Sequence, residues 1–126
     1  MEINKSMDKV IELAKKDKDI LAVALYGSSL KGKGRDIDLC IYLTKKKSNL
    51  EMSKKRLELL SGAGDNLDIQ IFQQVPLYIK TRILKEGKVL FCRDEDALYE
   101  IAFATIKDFG FYKKIYDMYL NEVEHG

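Results

Sequence analysis

Two aspartates separated by a single residue, Asp36 and Asp38, carry the clearest chemical signal in this sequence. In a β-strand, residues two apart point to the same face, so this spacing brings both carboxylates together. Neighbouring carboxylates repel one another, and a divalent cation between them makes the arrangement favourable. Hard oxygen ligands suit Mg²⁺, which also bridges to substrate phosphates. The pair therefore predicts a magnesium site.

A third carboxylate, Asp68, begins another segment that alternates like a strand. If that strand lies beside the one carrying Asp36 and Asp38, the three carboxylates converge. Such a site holds two metal ions, one steadying phosphates and the other lowering the pKa of an attacking hydroxyl. We expect all three aspartates to be catalytic metal ligands, with Asp68 also serving as the base for the acceptor. Each aspartate alone is also typical of an exposed strand position.

The loop before the aspartate pair, residues 27–35, is rich in glycine, serine and basic groups. Gly27 follows an apolar run, where a missing side chain allows a sharp turn and a close approach to a phosphate. Ser28 and Ser29 add hydroxyl donors, and the amides of such a turn bind anions. Arg35 supplies positive charge beside them. We expect Gly27, Ser28, Ser29 and Arg35 to bind phosphate groups, such as those of a nucleotide.

The segment that begins at Gly27 also nearly matches a P-loop, G-x-x-x-x-G-K-[ST]. Gly34, however, stands where Ser or Thr would bind Mg²⁺, and a strand follows where a P-loop requires a helix. The P-loop interpretation is therefore rejected.

Hydrophobic periodicity predicts an alternation of helices and strands that positions these residues. Strands are expected at 20–26, 36–43, 67–72 and 88–92. Helices are expected near 3–14, 48–60, 76–86 and from 94 to the end, with Gly110 as a candidate kink or break. This order predicts an α/β (α+β) fold: a small mixed sheet of about four strands, helices mainly on one face, and a long C-terminal helix.

Length and composition favour one ordinary globular domain over residues 1–126. The chain is 46% hydrophobic and 33% charged, with a net charge of +2 that by itself indicates neither nucleic acid nor membrane as a partner. Cys40 and Cys92 lie in apolar runs and are expected to be reduced, in a cytoplasmic protein. The basic runs 45–47 and 54–56 are interpreted mainly as solvated faces. The aromatic stripe of the last helix is typical of a core, with a partner surface as the alternative.

At Gly27-Ser28, Asp36, Asp38 and Asp68 the chain resembles the DNA polymerase β-like nucleotidyltransferase superfamily, and its minimal nucleotidyltransferase (MNT) branch in particular. The pattern of this family is a Gly-Ser turn, a variable loop, an Asp-x-Asp strand and a later strand carboxylate. The resemblance continues through 77–93 and implies a nucleotidyltransferase core over 18–93 with a helical segment over 94–124. The loop is short for the family, and Arg35 stands where a serine commonly precedes the first aspartate.

Many MNT proteins are antitoxins paired with a HEPN-domain ribonuclease, in type VII toxin–antitoxin systems. The resemblance therefore implies ATP, two Mg²⁺ ions and transfer of AMP to a tyrosine of a partner HEPN toxin. Homo-oligomers are compatible with this interpretation. No arginine here has a histidine five positions later, as the HEPN motif requires, so the chain is not the toxin half. Two alternatives stay open: an antitoxin that acts by binding alone, and a transferase acting on a small molecule or RNA.

Overall fold

Four helices and four strands make up the computed structural model, which describes residues 2–27, 37–62 and 67–125. The strands are β1 (Ile20–Tyr26), β2 (Ile37–Leu43), β3 (Leu67–Ile71) and β4 (Lys88–Cys92). The helices are α1 (Glu2–Lys16), α2 (Asn49–Ser61), α3 (Leu77–Glu86) and α4 (Glu95–His125), with a 3₁₀ turn at Phe72–Gln74. The predicted α/β class and order of elements are confirmed.

The strands form one mixed sheet in the order β3-β2-β1-β4. β1 lies in the centre and runs antiparallel to both β2 and β4, whereas β2 and β3 are parallel. The parallel pair is connected by α2, since a parallel connection needs a crossover rather than a tight turn. Consequently the beginnings of β2 and β3 lie at the same end of the sheet as the end of β1.

Helices cover both faces of the sheet, so the expectation of helices mainly on one face is wrong. One core contains α1 and α2 packed against Leu39, Ile41 and their neighbours, and this side is the α1–α2 face. The opposite core contains α3 and the first turns of α4 packed against Cys40 and Tyr42, and this side is the α3–α4 face. Both faces need cover because β1 and β2 carry apolar residues on each side along most of their length.

Local signals set the ends of the central helices. Ser48 caps α2, its hydroxyl accepting a hydrogen bond from the amide of Glu51 at 3.2 Å. Pro76 precedes α3, and the amide of Gly87 closes it by donating to the carbonyl of Ile83. A side chain at Gly87 would collide with that carbonyl, so glycine is required there.

The helix α4 continues through Gly110 as one helix of 31 residues, without the candidate break. Its predicted apolar stripe packs on the body only in its first half. Leu98, Ile101 and Thr105 are covered, whereas Tyr112 is 57% exposed. After Phe109 none of the side chains described is buried.

Both cysteines are free thiols, with Cys40 buried and Cys92 half-buried. Across the described residues, no helix is long and apolar enough to cross a membrane.

Candidate active site

Three neighbouring strands bring Tyr26, Asp38 and Asp68 into one row on the α3–α4 face. Asp38 pairs with Tyr26 across the β1–β2 ladder and with Asp68 across the β2–β3 ladder. Adjacent strands lie about 4.8 Å apart, so the two carboxylates start from neighbouring positions. The condition for convergence, that the strand of Asp68 lies beside that of Asp38, is therefore met.

Alternation along the strands explains why these polar groups share a face. In β2 the flanking residues Ile37 and Leu39 point into the core of the α1–α2 face, and in β3 Leu67 and Ile69 do the same. Asp38 and Asp68 must then point the other way, because the strand period is two. Both lie at the start of their strands and are only partly covered, with the side chain of Asp68 44% exposed.

Gly27 follows β1 and turns the chain against the Asp38 carboxylate. Its φ of 79° lies in the left-handed region that side chains disfavour. A Cβ at this position would come 2.5 Å from Oδ2 of Asp38. The turn therefore requires glycine for two reasons: its backbone conformation and the lack of space for a side chain beside the carboxylate.

The remaining predicted site residues, Ser28, Ser29, Arg35 and Asp36, lie outside the described residues. Within the described ranges no group of three or more His, Cys, Asp or Glu side chains gathers into a metal cluster. The structure brings together Asp38 and Asp68, two of the three predicted ligands. Asp36 immediately precedes the first residue of β2.

The oxygen atoms available in the row of Tyr26, Asp38 and Asp68 suit a hard cation. Asp38 and Asp68 provide carboxylate oxygens, and Tyr26 provides a hydroxyl. Mg²⁺ is held through one or two carboxylates with the rest of its shell from water and phosphate. These residues therefore fit a magnesium ion.

Tyr26 was not among the predicted site residues, although its position before Gly27 could have indicated it. The side chain is half-buried. Burial raises the pKa of its hydroxyl well above the ordinary value, and Cys40, Asp38 and Asp68 add to that increase, whereas Arg82 opposes it. Tyr26 therefore places a neutral hydroxyl in the row of carboxylates.

Arg56 of α2 was also missed, because the run 54–56 reads as a solvated face. Its Nη2 lies 3.4 Å from Oδ1 of Asp68, and its Nε donates to the carbonyl of Ile69. The neighbouring Lys55 is likewise bound, to Asp17. Helical spacing alone does not reveal that this face of α2 reaches the edge of β3.

The sequence profile of the family described as polymerase beta, nucleotidyltransferase matches residues 8–96. The chain belongs to the polymerase β nucleotidyltransferase family. The match runs from α1 through β4 and so includes every described residue of the row and Gly27.

Among relatives, this chain is 37% identical over 75 residues to a protein of Methanocaldococcus jannaschii that is named as an inferred protein adenylyltransferase. The match covers 57% of this chain and 56% of that protein. The chain thus spans a little over half the length of the curated relative it matches.

Solved structures of toxin–antitoxin complexes share the fold. One, a toxin–antitoxin with AMP-PNP, matches this chain with a TM-score of 0.71 at 18% identity, covering 93% of this chain and 97% of the other. Another holds a tri-AMPylated HEPN toxin of Shewanella oneidensis with its MNT antitoxin. It has a TM-score of 0.71 at 16% identity, over 98% and 99% of the two chains. At these identities the likeness establishes the fold.

Proposed function

We propose that this nucleotidyltransferase transfers AMP from ATP to a hydroxyl of a protein partner, a tyrosine of a HEPN-type toxin. The main observation behind this proposal is that Asp38 and Asp68 lie opposite one another on neighbouring strands, beside the turn at Gly27. Family membership supplies the reaction class, and the site supplies carboxylates where that class of reaction needs them.

The turn after β1 binds the triphosphate in this proposal. Gly27 brings the backbone close to the carboxylate row, and its freedom from a side chain lets phosphate oxygens approach the amides that follow. Ser28 and Ser29 donate hydroxyl hydrogen bonds to the β- and γ-phosphates. Arg35 offsets negative charge on the departing pyrophosphate.

Asp36, Asp38 and Asp68 hold Mg²⁺, with two ions expected. When bound, Mg²⁺ neutralises phosphate charge and lowers the pKa of a coordinated hydroxyl. Asp68 lies at the outer strand of the row, so we assign it to the acceptor side. Its carboxylate orients the acceptor hydroxyl and takes up the proton.

The transfer balances as an in-line displacement. The acceptor oxygen forms a bond to the α-phosphorus of ATP, the bond from that phosphorus to the bridging oxygen breaks, and pyrophosphate leaves. The protein contributes alignment of the two oxygens and fixed charges around them.

A protein acceptor is favoured by the relatives of this chain. The archaeal relative is named for protein adenylylation, and one structure of the same fold contains an AMPylated HEPN toxin. Because such systems act inside the cell, we place the protein in the cytoplasm.

A second candidate is an antitoxin that neutralises its partner by contact alone. The observation in its favour is the number of large apolar side chains exposed on α4, among them Phe103, Ile106, Phe111 and Ile115. Exposed apolar surface is typical of protein interfaces when it is extensive.

Labelled transfer distinguishes the two candidates. We would incubate the chain with ATP labelled at the α-phosphate, Mg²⁺ and a HEPN-type toxin. An Asp36→Asn, Asp38→Asn double variant serves as control. Label on the partner with the wild type only is the expected result. Absence of label, with partner binding unchanged in the double variant, would reject transfer to that acceptor and favour binding alone.

A further inference from the structure

The guanidinium of Arg56 joins two groups at the outer edge of the sheet. Arg56 lies on α2, which packs on the α1–α2 face, yet its side chain reaches around β3 toward the opposite face. Its Nε donates to the outward carbonyl of Ile69, and its Nη2 lies 3.4 Å from Oδ1 of Asp68.

The planar shape of the guanidinium gives this contact a direction. With Nε bound to Ile69, the plane and the position of Nη2 are set by the rigid fork. Oδ1 of Asp68 is therefore held on the β3 edge. The second oxygen, Oδ2, is the one left for a metal ion or an acceptor hydroxyl.

Stability alone does not account for this arrangement. The side chains of Arg56 and Asp68 are 33% and 44% exposed, and ion pairs at such exposure contribute little to folding. The pair matters more to the carboxylate row, where Asp38 and Asp68 bring like charges to neighbouring positions.

We propose that Arg56 is a positioning residue, which orients Asp68 for transfer while competing with the metal ion for that carboxylate. The first part of this inference, that Arg56 orients Asp68 for transfer, rests on the proposed function. The second part, that Arg56 competes with the metal ion for Asp68, does not depend on the reaction. The cation of Arg56 stabilises the metal-free row and repels an incoming divalent ion.

The two parts of the inference predict opposite effects of removing the charge of Arg56: tighter binding of a divalent ion and slower transfer. Arg56→Gln should bind Mn²⁺ more tightly, with Kd lower by about threefold to tenfold, because a competing cation is gone. The same variant should lose about tenfold or more in kcat, with KM for ATP within about twofold, because a supporting partner of a ligand is lost. A damaged fold would weaken both.

Arg56→Lys separates charge from geometry. It retains a cation near Asp68 but lacks the planar fork that spans both acceptors. We expect Mn²⁺ affinity within about twofold of the wild type, with kcat reduced about tenfold.

The experiment measures Mn²⁺ binding by electron paramagnetic resonance without nucleotide, and transfer of α-labelled AMP to the partner. Lys54→Gln is the matched control, since it removes one cation from an exposed position of the same helix. It should change neither quantity by more than about twofold. In an Asp68→Asn background, Arg56→Gln should no longer tighten Mn²⁺ binding.

Several outcomes overturn the inference. These are unchanged Mn²⁺ affinity in Arg56→Gln, weaker binding together with a lower melting temperature, or equal tightening in the Asp68→Asn background. If the wild type transfers no label, the proposed function fails, and the Mn²⁺ measurements still decide whether Arg56 competes for Asp68. Transfer by wild type with unchanged kcat in Arg56→Gln would reject the positioning role alone.

Discussion

At the scale of single residues, the site depends on the close approach of a glycine to a carboxylate. Gly27 adopts a φ of 79°, and the space its side chain would fill belongs to Oδ2 of Asp38. Gly110 offers the opposite environment, because a Cβ there would meet nothing within 4 Å. The two glycines therefore respond differently to the same substitution.

Gly27→Ala should lower the free energy of unfolding by about 1–2 kcal/mol, since alanine disfavours positive φ. The variant should also lose AMP transfer, because the new methyl displaces the Asp38 carboxylate. Gly110→Ala, in a helix interior, should instead raise stability by about 0.5–1 kcal/mol. Urea denaturation of both variants checks this. Equal effects of the same sign would contradict the geometry.

The thiol of Cys40 and the phenol of Tyr42 follow Asp38 along β2, on the same face of the sheet, and both are buried. Burial raises the pKa of Cys40 and of Tyr42 above their ordinary values. The folded state therefore keeps protons that the unfolded chain releases. Their contribution to stability is complete below the ordinary pKa of each group and is lost as pH rises above it.

The free energy of unfolding should accordingly begin to fall above about pH 8.5 because of Cys40, and fall more steeply above about pH 10 because of Tyr42. Beyond these values each group adds a slope approaching about 1.4 kcal/mol per pH unit. Urea denaturation at several pH values measures the slope. Cys40→Ala should flatten it, whatever its effect on stability at neutral pH. An unchanged slope in that variant would show that the Cys40 thiol is not the source.

At the scale of elements, one side chain ties helix α1 to the sheet. Arg93, directly after β4, donates from Nη2 to the carbonyls of Ala14, Lys15 and Asp17 at 2.8, 3.0 and 3.2 Å. Its Nε donates to the carbonyl of Ile20 at 3.1 Å. The last carbonyls of a helix have no partner within it, so a cation at this end is favourable.

Arg93→Ala should therefore lower the free energy of unfolding by about 2 kcal/mol, because several charged hydrogen bonds are lost together. Arg82→Ala is the matched control, since the Arg82 side chain is largely exposed and its ion pair with Glu86 lies on the surface, and it should cost less than about 0.5 kcal/mol. Chemical denaturation provides the comparison. A similar loss in both variants would argue against this role of Arg93.

At the scale of the whole molecule, α4 packs on the sheet and α3 only along its first half. The helix of 31 residues measures about 46 Å, and its contacts with the α3–α4 face end near Phe109. The later side chains that the structure describes, including Phe111, Ile115 and Met118, are exposed. The distal half thus contributes little to the core.

A chain ending after Gly110 should therefore unfold cooperatively, with a free energy of unfolding within about 1 kcal/mol of the full chain. Thermal and urea denaturation of the two chains would be compared under the same conditions. A loss above about 3 kcal/mol would mean that the distal half is part of the folding unit.

Local patterns were sufficient where neighbouring residues decide the outcome. The bounds of β1 and β4 agree with their apolar runs, and Ser48 caps α2 as its spacing to Glu51 predicts. Gly110 shows the limit of such signals. The cost of one glycine in a helix, about 1 kcal/mol, does not interrupt α4.

The alternation of β2 and β3 in the sequence by itself determined that Asp38 and Asp68 each leave the apolar face of their strand. The sequence by itself also indicated the family, through the Gly-Ser turn and the spacing of the aspartates. Only the tertiary structure decided that β2 and β3 pair in parallel, with Asp38 opposite Asp68, and that Arg56 reaches the same edge. Strand register and contacts between distant elements depend on packing across the sheet, which no local pattern encodes.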